Sequence, residues 1–248
     1  MKVVLVTHDS AFGRWLASAL WAEGAVDAVL VETGRPRWRF YWRKMRRAGV
    51  RDFAFQTWLS RWYRREGARV LGPAAMPPHE RIASANRHAF STDELAVGFG
   101  TSYITAATLA RMPNGFLNLH TGWLPAYRGV KSELWALARG DLARLGWTLH
   151  YMTPELDAGD LVLRQCVEWQ GESAGALRAR LLRDAVAPVA HLLRSIRANG
   201  ASVIRASPQG RGEYFSTPAW RDWRQYLRSV SLMRASASRA RAAVAEPG

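Results

Sequence analysis

The chain has 248 residues, with 35 Lys or Arg against 20 Asp or Glu, and its formal net charge is +15 at pH 7. Because 48% of the residues are hydrophobic, a wholly disordered or collagen-like protein is excluded, and no apolar run reaches the length of about 18 residues that spans a bilayer. The single cysteine, Cys166, excludes an internal disulfide and a thiolate metal cage, and is typical of a cytoplasmic protein. The charge predicts an acidic partner: nucleic acid, a phosphate-bearing small molecule or an anionic membrane surface.

The N-terminal region has the pattern of a parallel α/β unit. The apolar run at residues 3–6 predicts a strand, apolar residues at helical spacing over 12–20 predict a helix that Gly24 ends, and residues 26–31 predict a second strand. Strands that are apolar throughout and alternate with helices are typical of a sheet buried on both faces. We therefore expect an α/β fold.

A strongly basic, aromatic segment follows the second predicted strand. Residues 35–65 contain eleven Lys or Arg and one acid, Asp52. Aromatic and apolar residues repeat at helical spacing on both sides of Gly49, which predicts two short helices inserted at this point. Three interpretations stay open: a helical pair packed on the domain by its aromatic residues, a contact with an anionic membrane surface, and a contact with tRNA or nucleotide phosphates.

The rest of the chain continues the α/β pattern. Apolar runs predict strands at residues 70–71, 95–99, 115–119, 147–152 and 161–167, and amphipathic spacing predicts helices at 131–138 and 176–196. We expect Pro188 to bend the second of these helices and Gly200 to end it. The predicted catalytic domain covers residues 1–200, and residues 201–248 form a short C-terminal extension with a mobile Arg, Ala and Ser tail.

Three polar residues form the candidate catalytic site. Asn118 and His120 lie two residues apart at the end of a predicted strand, so their side chains project from the same face, at the strand end where open parallel sheets bind ligands. Asp157 follows another predicted strand, in a Gly-containing loop that can bring its carboxylate to the imidazole. Since no obvious nucleophile accompanies them, the trio suits acyl transfer to an external nucleophile, with Asn118 and protonated His120 stabilising an oxyanion while Asp157 sets the charge of His120 and helps to move protons.

Two motifs carry a resemblance to a known family. They are the Asn-x-His and Leu-Pro-x-Tyr-Arg-Gly of residues 118–129 and the Leu-Asp-x-Gly-Asp of residues 156–160. In this order they resemble the 10-formyltetrahydrofolate-dependent formyltransferases, which include methionyl-tRNA formyltransferase and the amino-sugar N-formyltransferases. The resemblance runs over residues 1–196 and implies a Rossmann-like, open, mostly parallel sheet with helices on both faces. It also implies that Asn118, His120 and Asp157 are catalytic, and that the amine of the acceptor attacks the formyl carbon of the folate.

The resemblance further implies where the formyl donor, 10-formyltetrahydrofolate, binds. The family forms its folate pocket from the two loops that correspond here to residues 98–104 and 152–157, largely through backbone groups. The implied folate-binding residues are Phe99, Gly100, Tyr103, Ile104, Met152 and Leu156. Asn86 and Arg128 are weaker candidates for contact with the acceptor. The remaining histidines show no metal-ligand spacing, so no metal is expected.

The chain departs from the family pattern at several positions. Gly122 stands where the family usually has Ser, and Trp123 is bulkier than the usual Leu, so the packing of this loop is expected to differ. Residues 7–13 lack the Gly-rich phosphate-binding turn of the ribonucleotide transformylases, and the residues after Ile196 are too few for the β-barrel that holds tRNA in the tRNA formyltransferases. We therefore expect the acceptor to be a nucleotide-linked amino sugar.

Other interpretations stay open. One is a methionyl-tRNA formyltransferase-like enzyme, since the basic segment is similar in position to the loop that those enzymes use against the acceptor stem. Another is a non-enzymatic module that docks on nucleic acid or a membrane, and a third is a deformylase, although those usually carry an N-terminal domain and the first strand here begins at residue 3. The expected location is the cytoplasm, with peripheral membrane contact through residues 35–65 as an option. The identity of the amine and the oligomeric state, including a homodimer, are left open.

Overall fold

The computed structural model describes residues 1–34 and 38–245. The strands are β1 (Lys2–His8), β2 (Ala28–Glu32), β3 (Glu80–Ile82), β4 (Glu94–Phe99), β5 (Phe116–His120), β6 (Tyr127–Gly129), β7 (Gly146–Tyr151), β8 (Leu161–Cys166) and β9 (Glu213–Phe215). The α-helices are α1 (Ala11–Ala22), α2 (Trp38–Leu71), α3 (Ala106–Leu109), α4 (Ser132–Arg139), α5 (Ala174–Asn199) and α6 (Trp220–Ala245). Residues 35–37 of the predicted basic segment and 246–248 of the predicted tail lie outside the described residues.

The main sheet has the strand order β3-β2-β1-β4-β5-β7-β8. The pairs from β3 to β5 are parallel, whereas β7 pairs antiparallel with β5 and with β8. A separate parallel pair joins β6 to β9. This topology confirms the predicted open, mostly parallel α/β sheet.

Helices cover the two faces of the sheet unequally. Buried hydrophobic residues form a larger core on one face of the sheet and a smaller core on the other. Along β1, Val3 and Leu5 lie in the larger core with residues of α1, α2, α4, α5 and α6, whereas Val4 and Val6 lie in the smaller core. This alternation follows from the two-residue period of a strand. The short α3 and the loops around it close the smaller core, which contains Ile104.

The predicted helical segment after the second strand is confirmed, and it extends further than residue 65. The helix α2 is interrupted at Gly49, whose φ of 80° is the left-handed conformation that glycine adopts readily. The part of α2 after this kink is the crossover that returns the chain from β2 to the parallel strand β3, and its Phe55, Leu59 and Tyr63 are buried in the larger core. The strand predicted at residues 70–71 is wrong, because these residues form the last turn of α2.

Capping residues set the ends of α5. The Ser173 hydroxyl accepts a hydrogen bond from the Ala176 N–H at the start of the helix. Gly200, with φ of 85°, follows the last turn, as predicted. Pro188 lies within the helix.

The C-terminal extension packs on the main domain. Phe215, Trp223 and Tyr226 are buried in the larger core, and the Trp223 ring lies 5.3 Å from Trp58 of α2. The stretch that we expected to form a mobile tail is helical in the structure as far as Ala245. Within the described part of the chain, no helix combines the length and the apolar composition needed to cross a bilayer.

Candidate active site

A cavity of about 290 Å³ opens at the carboxyl ends of β4 and β5. The predicted catalytic residues Asn118, His120 and Asp157 all line it. The other residues of its wall are Phe99–Ile104, Leu119, Thr121, Gly129–Lys131, His150, Met152, Thr153, Leu156, Arg178 and Tyr214. The structure thus brings together three residues that the sequence places up to 39 positions apart.

The imidazole of His120 is oriented from one side by the backbone. Its Nε2 lies 2.9 Å from the Tyr127 carbonyl oxygen, which can only accept, so Nε2 carries a hydrogen in this contact. The Ser132 hydroxyl lies 3.0 Å from the same Nε2. Because Nε2 is engaged in this way, Nδ1 is the nitrogen that faces Asp157, at 3.8 Å from Oδ2, and it is the one available for proton transfer.

The carboxylate of Asp157 is held by three elements. The Gly129 N–H donates to Oδ2 at 2.8 Å, and the imidazoles of His120 and His150 lie 3.8 and 3.5 Å from the carboxylate oxygens. Burial by itself raises the pKa of Asp157, but His120, then His150 and the Gly129 N–H outweigh it and hold the pKa well below its usual range. The carboxylate is therefore ionised at neutral pH. The backbone of Asp157 is in the left-handed conformation, with φ of 50°.

His150 is the site residue that our sequence analysis missed. It pairs directly with Asn118 across β5 and β7, and its Nε2 lies 3.1 Å from Asn118 Nδ2. Its Nδ1 lies 2.8 Å from the Tyr151 carbonyl oxygen, so Nδ1 donates there. In the neutral ring Nε2 accepts from the Asn118 amide, whereas in the protonated ring Nε2 faces Asp157 Oδ1 at 3.5 Å as a donor. The signal in the sequence was polar Thr148 and His150 alternating with apolar residues in a strand otherwise buried on both faces.

Two departures from the family pattern have a packing explanation. A Cβ atom at Gly122 would lie 2.5 Å from both His120 Nε2 and Ser132 Cβ, so the space for a side chain at residue 122 is already occupied. Ser132, from the start of α4, provides a hydroxyl beside His120 instead. Trp123 packs on the β7–β8 hairpin, with the Arg164 guanidinium 4.0 Å from its ring.

The six residues predicted to bind folate all line the cavity. Ile104 and Met152 contribute an apolar wall that continues into the smaller core, and Tyr103 and Leu156 are 52% and 47% exposed at the rim. The Tyr103 hydroxyl donates to the Pro154 carbonyl at 3.0 Å, which joins the two loops. An apolar slot bordered by loop backbone fits a flat heteroaromatic group such as a pterin.

Asn86 does not line the cavity in the structure. Its side-chain Nδ2 donates to the Tyr103 carbonyl, and its Oδ1 accepts from the Thr105 N–H and the Thr108 hydroxyl. The buried Glu32, at the end of β2, also holds the loop after β4, because its carboxylate accepts hydrogen bonds from the Ser102 N–H and hydroxyl. This placement does not support the predicted acceptor contact of Asn86, because its polar atoms are used to hold the loop after β4.

Arg128 also lies outside the cavity wall. Its guanidinium donates to Glu155 at 2.9 Å and to the Gly210 carbonyl at 3.1 Å, and Gln209 donates to the Asp157 carbonyl at 3.0 Å. The placement does not support the predicted substrate contact. Arg128 instead connects the loop before Asp157 to the C-terminal extension.

Comparison with known proteins identifies similar sequences and folds. The sequence model of the family described as "Formyl transferase" matches residues 1–187. A methionyl-tRNA formyltransferase of Anaeromyxobacter sp. (strain K) is 26% identical over 186 residues, which cover 75% of this chain and 55% of that protein. The chain spans about half the length of the curated relatives it matches.

Solved structures share the fold. A 4-N formyltransferase from Francisella tularensis is 15% identical, with a TM-score of 0.56 over 92% of this chain and 87% of that one. The formyltransferase PseJ from Anoxybacillus kamchatkensis, solved with UDP-4,6-dideoxy-4-formamido-L-AltNAc and tetrahydrofolate, is 17% identical, with a TM-score of 0.52 over 92% of this chain and 90% of that one. Among the described residues of this chain, no three His, Cys, Asp or Glu side chains are grouped so as to hold a metal ion.

Proposed function

Because the chain belongs to the formyl transferase family, we propose that it transfers a formyl group from 10-formyltetrahydrofolate to the primary amine of a nucleotide-linked amino sugar. The observation that carries this proposal is that Asn118, His120 and Asp157 line one cavity together with the six residues expected to bind folate. Amide, imidazole and carboxylate without a nucleophile suit direct transfer between two bound molecules.

The proposed roles follow from the contacts of each side chain. 10-Formyltetrahydrofolate supplies a formyl group bonded to its nitrogen N10. His120, protonated at Nδ1, donates to the formyl oxygen as negative charge develops on it. Asn118 Nδ2 is 3.4 Å from Asp157 Oδ1, a long and therefore weak hydrogen bond, so this amide hydrogen is able to turn towards the same oxygen.

The proton balance gives Asp157 its role. The amine nitrogen forms a bond to the formyl carbon, the bond from that carbon to N10 breaks, and one proton passes from the amine to N10. Asp157 stays ionised because its pKa is low, so it stabilises the positively charged imidazole and orients it through the 3.8 Å contact with Nδ1. His120 gives its Nδ1 proton to N10 as that bond breaks and takes the proton of the amine in its place, so the imidazole ends the reaction protonated as it began.

A sugar acceptor is supported by the solved neighbours and by the charge of the chain. PseJ was solved with a UDP-linked formamido sugar, and an N-formyltransferase from Helicobacter canadensis with dTDP-3-aminofucose. A diphosphate-linked substrate also suits a chain with a net charge of +15.

The proposal is tested by measuring release of tetrahydrofolate from 10-formyltetrahydrofolate with a panel of nucleotide-linked 3- and 4-amino sugars as acceptors. We expect turnover on at least one sugar, and its loss in His120→Ala. The matched control is His191→Ala, because His191 is exposed on α5. Turnover with water as the sole acceptor, or equal turnover in His120→Ala, would overturn the proposal.

A second candidate acceptor is charged initiator tRNA, since the curated relatives are named methionyl-tRNA formyltransferases. The exposed faces of α2 and α6 carry Arg61, Arg64, Arg65, Arg221, Arg224 and Arg228. The described parts of these helices contain three acids, Asp52, Glu66 and Asp222. Glu66 pairs with Arg69 and Asp222 with Arg221, so most of the exposed arginines have no acid of these helices beside them. The outward charge of the two helices is therefore positive, which favours a polyanion.

The same assay distinguishes the two acceptors. Turnover on charged initiator tRNA and on none of the sugars would make tRNA the acceptor, with affinity falling steeply as salt rises.

A further inference from the structure

Two cations reach the cavity from the face of the sheet opposite to Ile104 and Met152 of the predicted folate loops. Lys131 and Arg178 both line the cavity, yet they contact the larger core: the Lys131 Nζ lies 3.6 Å from the centre of the Tyr63 ring, and the Arg178 guanidinium lies over the Phe12 ring. The folate loops instead pack on the smaller core through Ile104 and Met152. Phe99, at the start of the first folate loop, belongs to the larger core and lies beside Arg178, so the cations line the cavity from the larger-core face of the sheet.

The guanidinium of Arg178 is positioned by rings and retains donor capacity. Its Cζ lies 5.1 Å from the Phe12 ring centre and 5.6 Å from that of Phe99. Its Nε is buried and has no hydrogen-bond partner within the described residues, and its Nη1 lies 4.0 Å from Glu133 Oε1, beyond hydrogen-bond length. An unpaired buried donor is costly, and Arg donors arranged as a fork match the geometry of phosphate and carboxylate oxygens.

Lys131 adds a second charge from a strained position. Its φ is 58°, a left-handed conformation that is unfavourable for a residue with a Cβ atom, and strain of this kind is concentrated at functional sites. Glu133 is the carboxylate nearest to Arg178, and its Oε2 accepts from Thr121. Lys131 and Arg178 therefore both bring positive charge to the wall of the cavity.

We propose that Lys131 and Arg178 form an anion subsite that binds the phosphate groups of the amine acceptor, and so place its amine beside His120. This inference rests on the proposed function and names the residues that would select a phosphorylated acceptor. The same oxyanion chemistry could be supplied by the glutamate carboxylates of the folate, and the tetrahydrofolate arm of the experiment below distinguishes the two sources.

The test measures two ligands separately by isothermal titration calorimetry on the full chain. The probes are inorganic pyrophosphate and tetrahydrofolate, and the variants are Arg178→Gln and Lys131→Asn, since Asn tolerates the left-handed conformation. The control is Arg228→Gln, which removes the same charge from the exposed face of α6. Circular dichroism and Tm confirm that each variant is folded, and Arg178→Lys, which keeps the charge without the fork, is the conservative variant.

We expect pyrophosphate to bind the wild type, and each cavity variant to weaken it about tenfold or more, with Arg178→Lys intermediate. Tetrahydrofolate binding should be unchanged. Pyrophosphate binding that survives in both cavity variants, or that falls equally in Arg228→Gln, would overturn the subsite. Loss of tetrahydrofolate affinity alone would assign the cations to the folate and overturn it as well.

The two ligands also separate this inference from the proposed function. A wild type that binds tetrahydrofolate but not pyrophosphate overturns the subsite and leaves the formyl transfer proposal standing. One that binds pyrophosphate through Lys131 and Arg178 but not tetrahydrofolate supports the subsite and contradicts the proposed donor.

Discussion

Asn118 and His150 face each other across β5 and β7, and Asn118 Nδ2 lies 3.1 Å from His150 Nε2. His150 is 1% exposed, and its other nitrogen is engaged with the Tyr151 carbonyl. The contact therefore fixes which way the Asn118 amide points. His150, to which our proposal assigns no substrate contact, thereby controls the orientation of Asn118, which contacts the formyl oxygen in the proposed mechanism.

Replacing His150 should lower turnover by misorienting Asn118. We expect His150→Phe to reduce kcat by up to about 100-fold, because a small displacement of a catalytic group has an effect of that size, and His150→Gln to retain more activity, since its amide oxygen can accept from Asn118. The measurement is steady-state formyl transfer, with the exposed His191→Gln as the control. Equal activity of His150→Phe and wild type would contradict the positioning role.

The low pKa of Asp157 predicts a pH-dependent contribution to stability. Because the pKa is lower in the folded than in the unfolded protein, the contribution is complete above the unfolded value of about 3.9 and is lost as the pH falls through the folded value. Urea unfolding of wild type and Asp157→Asn should give a constant difference in the free energy of unfolding between pH 5 and 7. Below about pH 4 the free energy of unfolding of the wild type should fall relative to that of Asp157→Asn. A difference that stays constant down to pH 3 would show that the carboxylate is not stabilised in the fold.

The effects of substitutions at Gly122 and Ser132 on activity should depend on each other, because the two residues share one space beside His120. We expect Gly122→Ser to impair activity because its Cβ would lie 2.5 Å from both His120 Nε2 and Ser132 Cβ. Ser132→Ala should cost less, since the Tyr127 carbonyl still holds Nε2. The double variant Gly122→Ser with Ser132→Gly should recover part of the activity, because removing the Ser132 side chain frees the space. Kinetics of the wild type, Gly122→Ser, Ser132→Gly and the double variant form a double-mutant cycle, and strictly additive effects would rule out the pairing.

Glu32 should control the loop after β4 from a distance. Its carboxylate accepts from the Ala85 N–H, the Ser102 N–H and the Ser102 hydroxyl, and Gln offers one acceptor oxygen in place of two. We expect Glu32→Gln to weaken tetrahydrofolate binding about tenfold, since hydrogen bonds to a charged group contribute about 1.5–3 kcal/mol. The control is Glu80→Gln, at an exposed position of β3. Unchanged folate affinity with a lowered Tm would limit Glu32 to a structural role.

Trp223 should be essential to the attachment of α6. It is buried between Trp58, Trp62 and Tyr226, and its replacement by Ala should lower the free energy of unfolding by about 3–5 kcal/mol. Trp42→Ala, at a residue 52% exposed on α2, should have little effect. Urea unfolding measures both, and a small effect at Trp223 would indicate that α6 is bound weakly to the domain.

The local patterns of the chain predicted most of the elements near the site. β4 and β5 are continuous apolar runs, and α5 has a complete amphipathic period with a serine cap, so their existence and type depend on neighbours in sequence. The prediction of a strand at residues 70–71 was wrong because two apolar residues at the end of a helix have the same sequence pattern as a short buried strand. The helical end of the chain was missed because its Ala, Ser and Arg residues lack the apolar periodicity that would predict it, whereas its first turns are held by aromatic contacts with α2.

Family membership and the predicted catalytic residues Asn118, His120 and Asp157 follow from the sequence alone, because each motif is a short run whose spacing is read directly. The tertiary structure decided which side chains surround them. His150 joins Asn118 only through the register of two antiparallel strands, and Arg128 meets Gly210 across 82 positions. Such contacts depend on packing between distant segments, and no local period in the chain encodes them.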